Sequence, residues 1–518
     1  MRIDSVCRWP VAGALVALLA GCGTTVPMAG QAAGGGVGAG AAPGAAATGN
    51  GLGGSAVQGP GHSTAPVTGG FAPVGGGPAG AAAATAPGST SSAAGTTAAG
   101  QSRAAATTRT SGFGFNAKEI RIGVAYNGQL SQQMGAAGAA GGGAVLGNQK
   151  NQVEALARDI NEHGGIAGRK LVPVFYDTNG QQNNISATSQ AACAAWTEDN
   201  SVFAAMTFVA ELSNDTTYNC LSKHGVVFAP LGGESVATYR KFAPYLWSPT
   251  TPSADRTGAG WAQRLAALKY FTGWDTTLGQ PGQAPPKVGL LLGNGARDGQ
   301  PSVDRAIERT LRSELGRLGV TVASTFNMTT IDQGSSAVLR FKDAGVTHVI
   351  GDFSIALFAQ AAESQRYRPR YGISSLSGGV ALPLYVPSVQ LAGALGIGWS
   401  PQGDVDAGQD QGDVSPAEAQ CRKIMQAAGE PTDSRLAWFV MTYACDTFSF
   451  LDRAIEASGF NAANFPAAAA GLGALPPAST FGISFPGGRN DGVTYVRDIA
   501  YRSDCSCFAY LDKTNRAI

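Results

Sequence analysis

The sequence predicts two doubly wound, parallel-sheet α/β lobes preceded by a long disordered tether. Three observations carry that expectation. From residue 120 onward, short apolar runs alternate with stretches whose apolar residues recur at helical spacing, the pattern of parallel sheets covered by helices. This series runs its course and then restarts near residue 288, so two sheets of ordinary size are expected rather than one large one. Before it, residues 23–101 are almost wholly Gly, Ala, Pro, Ser and Thr, with no Asp, Glu, Lys or Arg. Such a segment cannot bury enough apolar surface to offset its ordering entropy.

The chain opens on an export pattern over residues 1–21. Arg2 and Arg8 give a basic start, residues 11–19 an apolar run too short to span a bilayer, and small residues follow. Leu19-Ala20-Gly21-Cys22 resembles a bacterial lipobox. That resemblance implies cleavage before Cys22, lipid attachment to its thiol, and an extracytoplasmic protein anchored to the outer face of the cell membrane. Residues 22–112 then read as the tether. About 80 residues of Gly-rich coil span roughly 50 Å.

In the folded part, residues 120–126 form a first apolar strand, followed by a Gly-rich loop. Val153, Leu156, Ala157 and Ile160 mark one face of a helix that Gly164 and Gly165 end. Residues 171–175 make a near-continuous apolar strand, as expected when both faces are covered. Pro173 within it cannot donate a ladder hydrogen bond, so this strand belongs at a sheet edge. A strand order of 2-1-3-4-5 puts the second strand there. A helix over 185–196, a strand over 202–208, a helix over 216–223, a strand over 226–231 and a short fifth strand over 245–248 complete this series.

The second series has strands at 288–292, 320–326, 348–350, 371–374 and 395–399, with helices over 302–318, 337–344 and 355–364 between them. Residues 417–428 and 436–458 are helices, the latter apolar through most of its circumference and therefore deeply buried. Residues 481–512 alternate short strands with Gly-rich turns.

The run Ile160-Asn161-Glu162-His163-Gly164-Gly165-Ile166-Ala167-Gly168-Arg169-Lys170-Leu171, continuing to Tyr176-Asp177, resembles the first αβ turn of type I periplasmic binding proteins of the branched-chain amino-acid-binding group. The likeness extends over everything after about residue 118. It implies a solute-binding lipoprotein of an ABC transporter, with the chain crossing three times between lobes near residues 248–252, 400–403 and 487–493. Lobe 1 would comprise residues 118–249 and 400–487, lobe 2 residues 250–399 and 493–518.

Composition narrows the partners. A net charge of +1 and 14% charged residues imply neither nucleic acid nor an anionic surface. Apart from Cys7 and Cys22, the cysteines are Cys193, Cys220, Cys421, Cys445, Cys505 and Cys507, an even set in an exported chain, which suggests disulfides. Zinc is the competing reading, but the whole chain has only four histidines. Cys193 with Cys220 and Cys421 with Cys445 sit on successive predicted helices and are the expected pairs. Cys505 and Cys507 are left to each other, awkward for residues two apart on a strand.

No GxSxG elbow, Walker loop or HExxH is present, so neither an enzyme nor a cofactor or metal is expected. Two facing sheets instead place the carboxyl ends of their strands around one cleft. The candidate ligand contacts are the loop residues after those strands: Asn127, Thr207, Phe208, Ala210, Gly232, Gly233, Glu234 and Ser235 from lobe 1, and Asp298, Asp352 and Phe353 from lobe 2. The resemblance implies that Thr207, Gly232, Gly233 and Ser235 receive a ligand carboxylate. It also implies an acid and rings for an ammonium, yet residues 375–379 read Ser-Leu-Ser-Gly-Gly, and Asp352, Asp298 or Glu234 would have to substitute. The expected ligand is a small polar solute, amino-acid or amide-like, delivered to a permease in the membrane; the missing acid speaks against an α-amino acid and leaves a polar amide, a sugar-like or an aromatic-acid solute open. A ligand-sensing module and an exported hydrolase are the alternatives.

Overall fold

The computed structural model describes residues 109–129, 147–179, 184–293, 301–410, 412 and 414–518. Cys22 and Asp298 lie outside them. Strand β1 (Glu119–Tyr126) leads to helix α1 (Gln149–Glu162), whose first turn is capped by the Asn148 side chain accepting from the Lys150 and Asn151 amides. At the other end Gly165 takes a φ of +68°, and a Cβ there would lie 2.1 Å from the Arg169 carbonyl oxygen, so only glycine fits the turn into β2 (Lys170–Asp177). Helix α2 (Ile185–Ala194) passes into a π turn over Ala195–Asp199, then come β3 (Ala204–Thr207), α3 (Asp215–Lys223), β4 (Val227–Ala229) and α4 (Val236–Lys241).

These strands form a parallel sheet in the order β2-β1-β3-β4. Pro173 faces Ile122 across the edge, with no strand on its other side. Residues 245–248 join this sheet through a single bridge, Phe228 to Leu246, rather than as a fifth strand.

After α5 (Ala254–Ala267) the second sheet begins. It is built from β5 (Val288–Leu292), α6 (Pro301–Arg317), β6 (Val322–Asn327), α7 (Gly334–Asp343), β7 (His348–Gly351), α8 (Ile355–Ser364), β8 (Arg370–Ser374) and β9 (Leu395–Gly398). The chain returns to it at its end with β10 (Tyr495–Arg502) and β11 (Cys507–Tyr510), which add antiparallel to β9. The order is β11-β10-β9-β8-β7-β5-β6, with Arg516–Ala517 pairing β10. A parallel sheet thus carries an antiparallel edge, a common ending for large α/β sheets.

Between the two visits lie α9 (Pro416–Ala427) and α10 (Arg435–Ala457). Helix α10 belongs to the first sheet: Trp438, Met441, Phe448 and Leu451 share one core with Ile122, Val124 and Met206. The second sheet has its own core, where Leu291, Val349 and Ile373 meet Ile499, Phe508 and Tyr510. Each such fully buried side chain contributes roughly 1.5–3 kcal/mol.

The chain passes from one core to the other between Trp247 and Ala254, between Val405 and Cys421, and between Phe485 and Val493. Two passes run side by side, since Ser248 bridges Asp491 in parallel and the Ser248 carbonyl accepts from the Gly492 amide at 2.7 Å. Asp491 is 2% exposed and bonds the Ser253 amide and the Arg256 guanidinium, which also reaches the Val493 and Ile518 carbonyls. The sulfurs of Cys193 and Cys220, of Cys421 and Cys445, and of Cys505 and Cys507 stand at bonding distance, with Cα separations of 6.3, 6.0 and 5.2 Å. The last separation is short because Cys505 sits in the β10–β11 turn rather than along a strand, and Ser506 beside it adopts φ +53°.

Candidate functional site

Two adjoining cavities open where the carboxyl ends of both sheets converge. The larger holds about 740 Å³ of empty space, partly open to solvent, and the smaller about 470 Å³; Gly232, Thr251 and Leu376 line both. From the first sheet, Leu231 and Gly232 follow β4, while Phe439 and Tyr443 project from α10. From the second sheet come Gly293 after β5, Asp352 and Phe353 after β7, Ser375 and Leu376 after β8, and Trp399 and Ser400 after β9. Parallel strands necessarily collect their following loops at one end, which explains why residues so far apart in sequence meet here.

The interior of the larger cavity is aromatic and hydroxylated. Tyr443 is held in place by donating its hydroxyl to the Thr207 and Pro230 carbonyls, at 3.0 and 3.3 Å. Thr250 and Ser400, each more than nine-tenths buried, bring side-chain oxygens that have no hydrogen-bond partner among the described residues. A buried hydroxyl left unpaired costs roughly 1–3 kcal/mol, and two such hydroxyls belong to residues lining this one cavity.

Two carboxyls stand one layer behind this lining. Asp404 Oδ2 accepts from Ser375 Oγ (2.9 Å), the Ser400 amide (2.8 Å) and Tyr510 Oη (2.7 Å), while its Oδ1 has no partner among the described residues. Burial pushes its pKa up to about 7, although these bonds and the charge of Arg435 work the other way. Asp446 accepts from the Ala478 and Ser479 amides and the Ser479 hydroxyl, and burial raises it to about 6.

Of the residues expected from sequence, Gly232, Gly233, Asp352 and Phe353 line the smaller cavity. Asp352 accepts from the Gly293 and Ser354 amides and so shapes its own loop. The others are built into the framework. Asn127 holds the β1 loop, accepting from the Gln129 amide. Thr207 Oγ1 closes a turn onto Val209. Phe208 packs edge-on against Tyr443 at 5.7 Å, and Ala210 is buried in a short 3₁₀ turn. Glu234 receives the Tyr218 hydroxyl at 2.6 Å, and Ser235 caps α4 by accepting from the Thr238 amide.

Thr250, Trp399, Ser400, Phe439 and Tyr443 were not expected from sequence. The strand-end rule contained a signal for two of them, because Trp399 and Ser400 directly follow β9. Among the described residues, no three or more His, Cys, Asp or Glu side chains gather as metal ligands, and no helix is long and apolar enough to cross a membrane.

The fold has counterparts among solved structures. The solute-binding protein of an ABC transporter from Rhodopseudomonas palustris HaA2, in complex with p-hydroxybenzoic acid, aligns with a TM-score of 0.55 at 15% identity, covering 77% of this chain and 98% of that one. A periplasmic binding protein type 1 from Bordetella pertussis Tohama I aligns at 0.53 with 14% identity, covering 77% and 100%. The fatty acid ABC transporter substrate-binding protein from Thermomonospora curvata aligns at 0.53 with 14% identity, covering 79% and 95%. The fold is that of a type I periplasmic binding protein. No protein-family model matches the sequence, and no curated protein does either.

Proposed function

We propose that this protein is the solute-binding component of an ABC-type importer, exported and held on the outer face of the cell membrane by a lipid on Cys22. Residues 118–249 with 400–487 form one lobe and residues 250–399 with 493–518 the other. The cysteine pairs at bonding distance are disulfides, in keeping with an extracytoplasmic setting. The lobes close on a small solute and present it to the permease, and no chemical step is required.

The observation that carries this reading is the cavity whose wall is shared between the two sheets and the crossing segments. A solute there touches both lobes only when they are closed, so binding favours the closed state by its differential contact. Thr250 lies on the first crossing segment and Ser400 stands shortly before the second, which brings ligand contact next to the hinge. The similar proteins described as binding p-hydroxybenzoic acid and fatty acid support a solute-capturing role without fixing the solute.

A thermal-shift screen over amino acids, amides, sugars, alcohols, aromatic acids and fatty acids tests the proposal. A captured solute at one hundred times its Kd raises stability by about 2.7 kcal/mol. A melting temperature unmoved by every class would remove the basis for a solute-binding role.

A further inference from the structure

The chemistry of the larger cavity narrows the solute class, an inference that rests on the solute-binding reading. None of its described lining residues is charged; Trp399, Phe439, Tyr443, Leu231 and Leu376 supply most of its wall. Two of its serines have already given up their protons as donors: Ser375 Oγ donates to Asp404 while accepting from the Trp399 amide, and Ser479 Oγ donates to Asp446. The side-chain oxygens of Thr250 and Ser400 are buried without a hydrogen-bond partner among the described residues, and Thr251 brings a third hydroxyl; each can donate one hydrogen bond and accept another.

A charged ligand group is poorly served by this lining. An ammonium needs a carboxylate, but Asp404 and Asp446 are not among the lining residues: Asp446 already accepts three bonds, and Asp404 accepts three on Oδ2 while its Oδ1 is buried. Both are also driven toward the neutral acid by burial. An anion would find no Lys, Arg or His among the described lining residues. The Arg435 guanidinium is turned to the Val405 and Pro401 carbonyls and to Asp410. In the adjoining cavity, Asp352 is occupied by two backbone amides and Asp304 sits in the first turn of α6, where the helix N-terminus favours an acid. Burying an unpaired charge costs far more than burying a hydroxyl that finds a partner.

We propose that the larger cavity takes an uncharged solute, an apolar ring or branched chain bearing one or two hydroxyl or carbonyl oxygens held by Thr250 and Ser400. Two matched series test this by calorimetry on the full chain. The ring series is 4-hydroxybenzyl alcohol, 4-hydroxybenzoate and tyrosine; the chain series is 4-methylpentan-1-ol, 4-methylpentanoate and leucine. In at least one series the alcohol should bind tenfold or more tightly than both its anion and its zwitterion. Thr250→Val and Ser400→Ala should each weaken that alcohol several-fold while leaving the melting temperature without solute unchanged or higher, since each removes an unpaired buried hydroxyl.

Tighter binding of an anion or a zwitterion would overturn the inference and leave the solute-binding role standing. Alcohol binding indifferent to both substitutions would overturn it as well. Failure of all six compounds would also overturn it, and the broad screen then decides whether the solute-binding role itself survives.

Discussion

Asp491 and Asp498 are as deeply buried as Asp404 and Asp446, all four at 2% exposure or less, yet their surroundings differ in kind. Asp491 meets the guanidinium of Arg256 and lies 3.7 Å from that of Arg489. Asp498 is held bidentately by Arg264 at 3.0 and 2.7 Å and lies 3.2 Å from Arg516. Asp404 and Asp446 receive only hydroxyls and amides. The contrast teaches how one fold divides its buried acids. Ion pairs fasten the last crossing and the antiparallel edge, where a fixed geometry is wanted, while neutral donors surround the acids nearest the cavity and keep its field weak.

Breaking the ionic side of this contrast should have the largest effect. Asp491→Ala leaves Arg256 and Arg489 facing a partly buried space without their carboxylate, and should lower stability by about 3–5 kcal/mol in urea unfolding. A loss below about 1 kcal/mol would show that the crossing does not depend on this pair.

Asp404 makes the neutral side measurable through pH. Its folded pKa of about 7 lies above the ordinary aspartate value of 3.8, so the folded state holds a proton that the unfolded chain releases. Its contribution is therefore fully present below about pH 4 and is lost as pH rises toward and through 7, by at most roughly 4 kcal/mol. His348 acts in the opposite sense: burial lowers its pKa to about 4, so stability is lost as pH falls from 6.5 toward 4. Comparing Asp404→Asn with the unchanged protein cancels the His348 share. The variant should gain stability relative to the parent between pH 5 and pH 8. An equal difference at both values would mean that Asp404 is ionised throughout.

The smallest effect tests geometry rather than charge. Arg264→Lys keeps the positive charge beside Asp498 but loses the two-pronged contact, and should cost about 1 kcal/mol. A change within about 0.2 kcal/mol would reduce that contact to simple charge proximity.

The fold was legible where the sequence carried periodicity or a backbone constraint. Pro173 alone placed β2 at the sheet edge, because its missing N–H is harmless only there. The apolar run of α10 announced a buried helix. The antiparallel β10 was harder to read, because Arg497, Asp498 and Arg502 interrupt its apolar pattern. Asp498 is buried with its arginines, a compensation visible only in three dimensions.

The site was less legible for a related reason. Gly232 and Asp352 could be found from strand ends, but Thr250 and Ser400 look like any of the many hydroxyls in this chain. What distinguishes them is that each is buried beside a cavity with its hydroxyl unpaired among the described residues, a property of packing rather than of residue type. Conversely, Glu234 and Ser235 sit at the right strand end and are spent on Tyr218 and on the cap of α4.

The most direct test of the account is a crystal structure of the protein with the solute that most raises its melting temperature. The account predicts that solute between Gly232–Thr251 and Trp399–Ser400, with a polar atom within hydrogen-bond distance of Thr250 or Ser400. A solute seated elsewhere, such as in the separate cavity near Arg497 and Glu418, would contradict it.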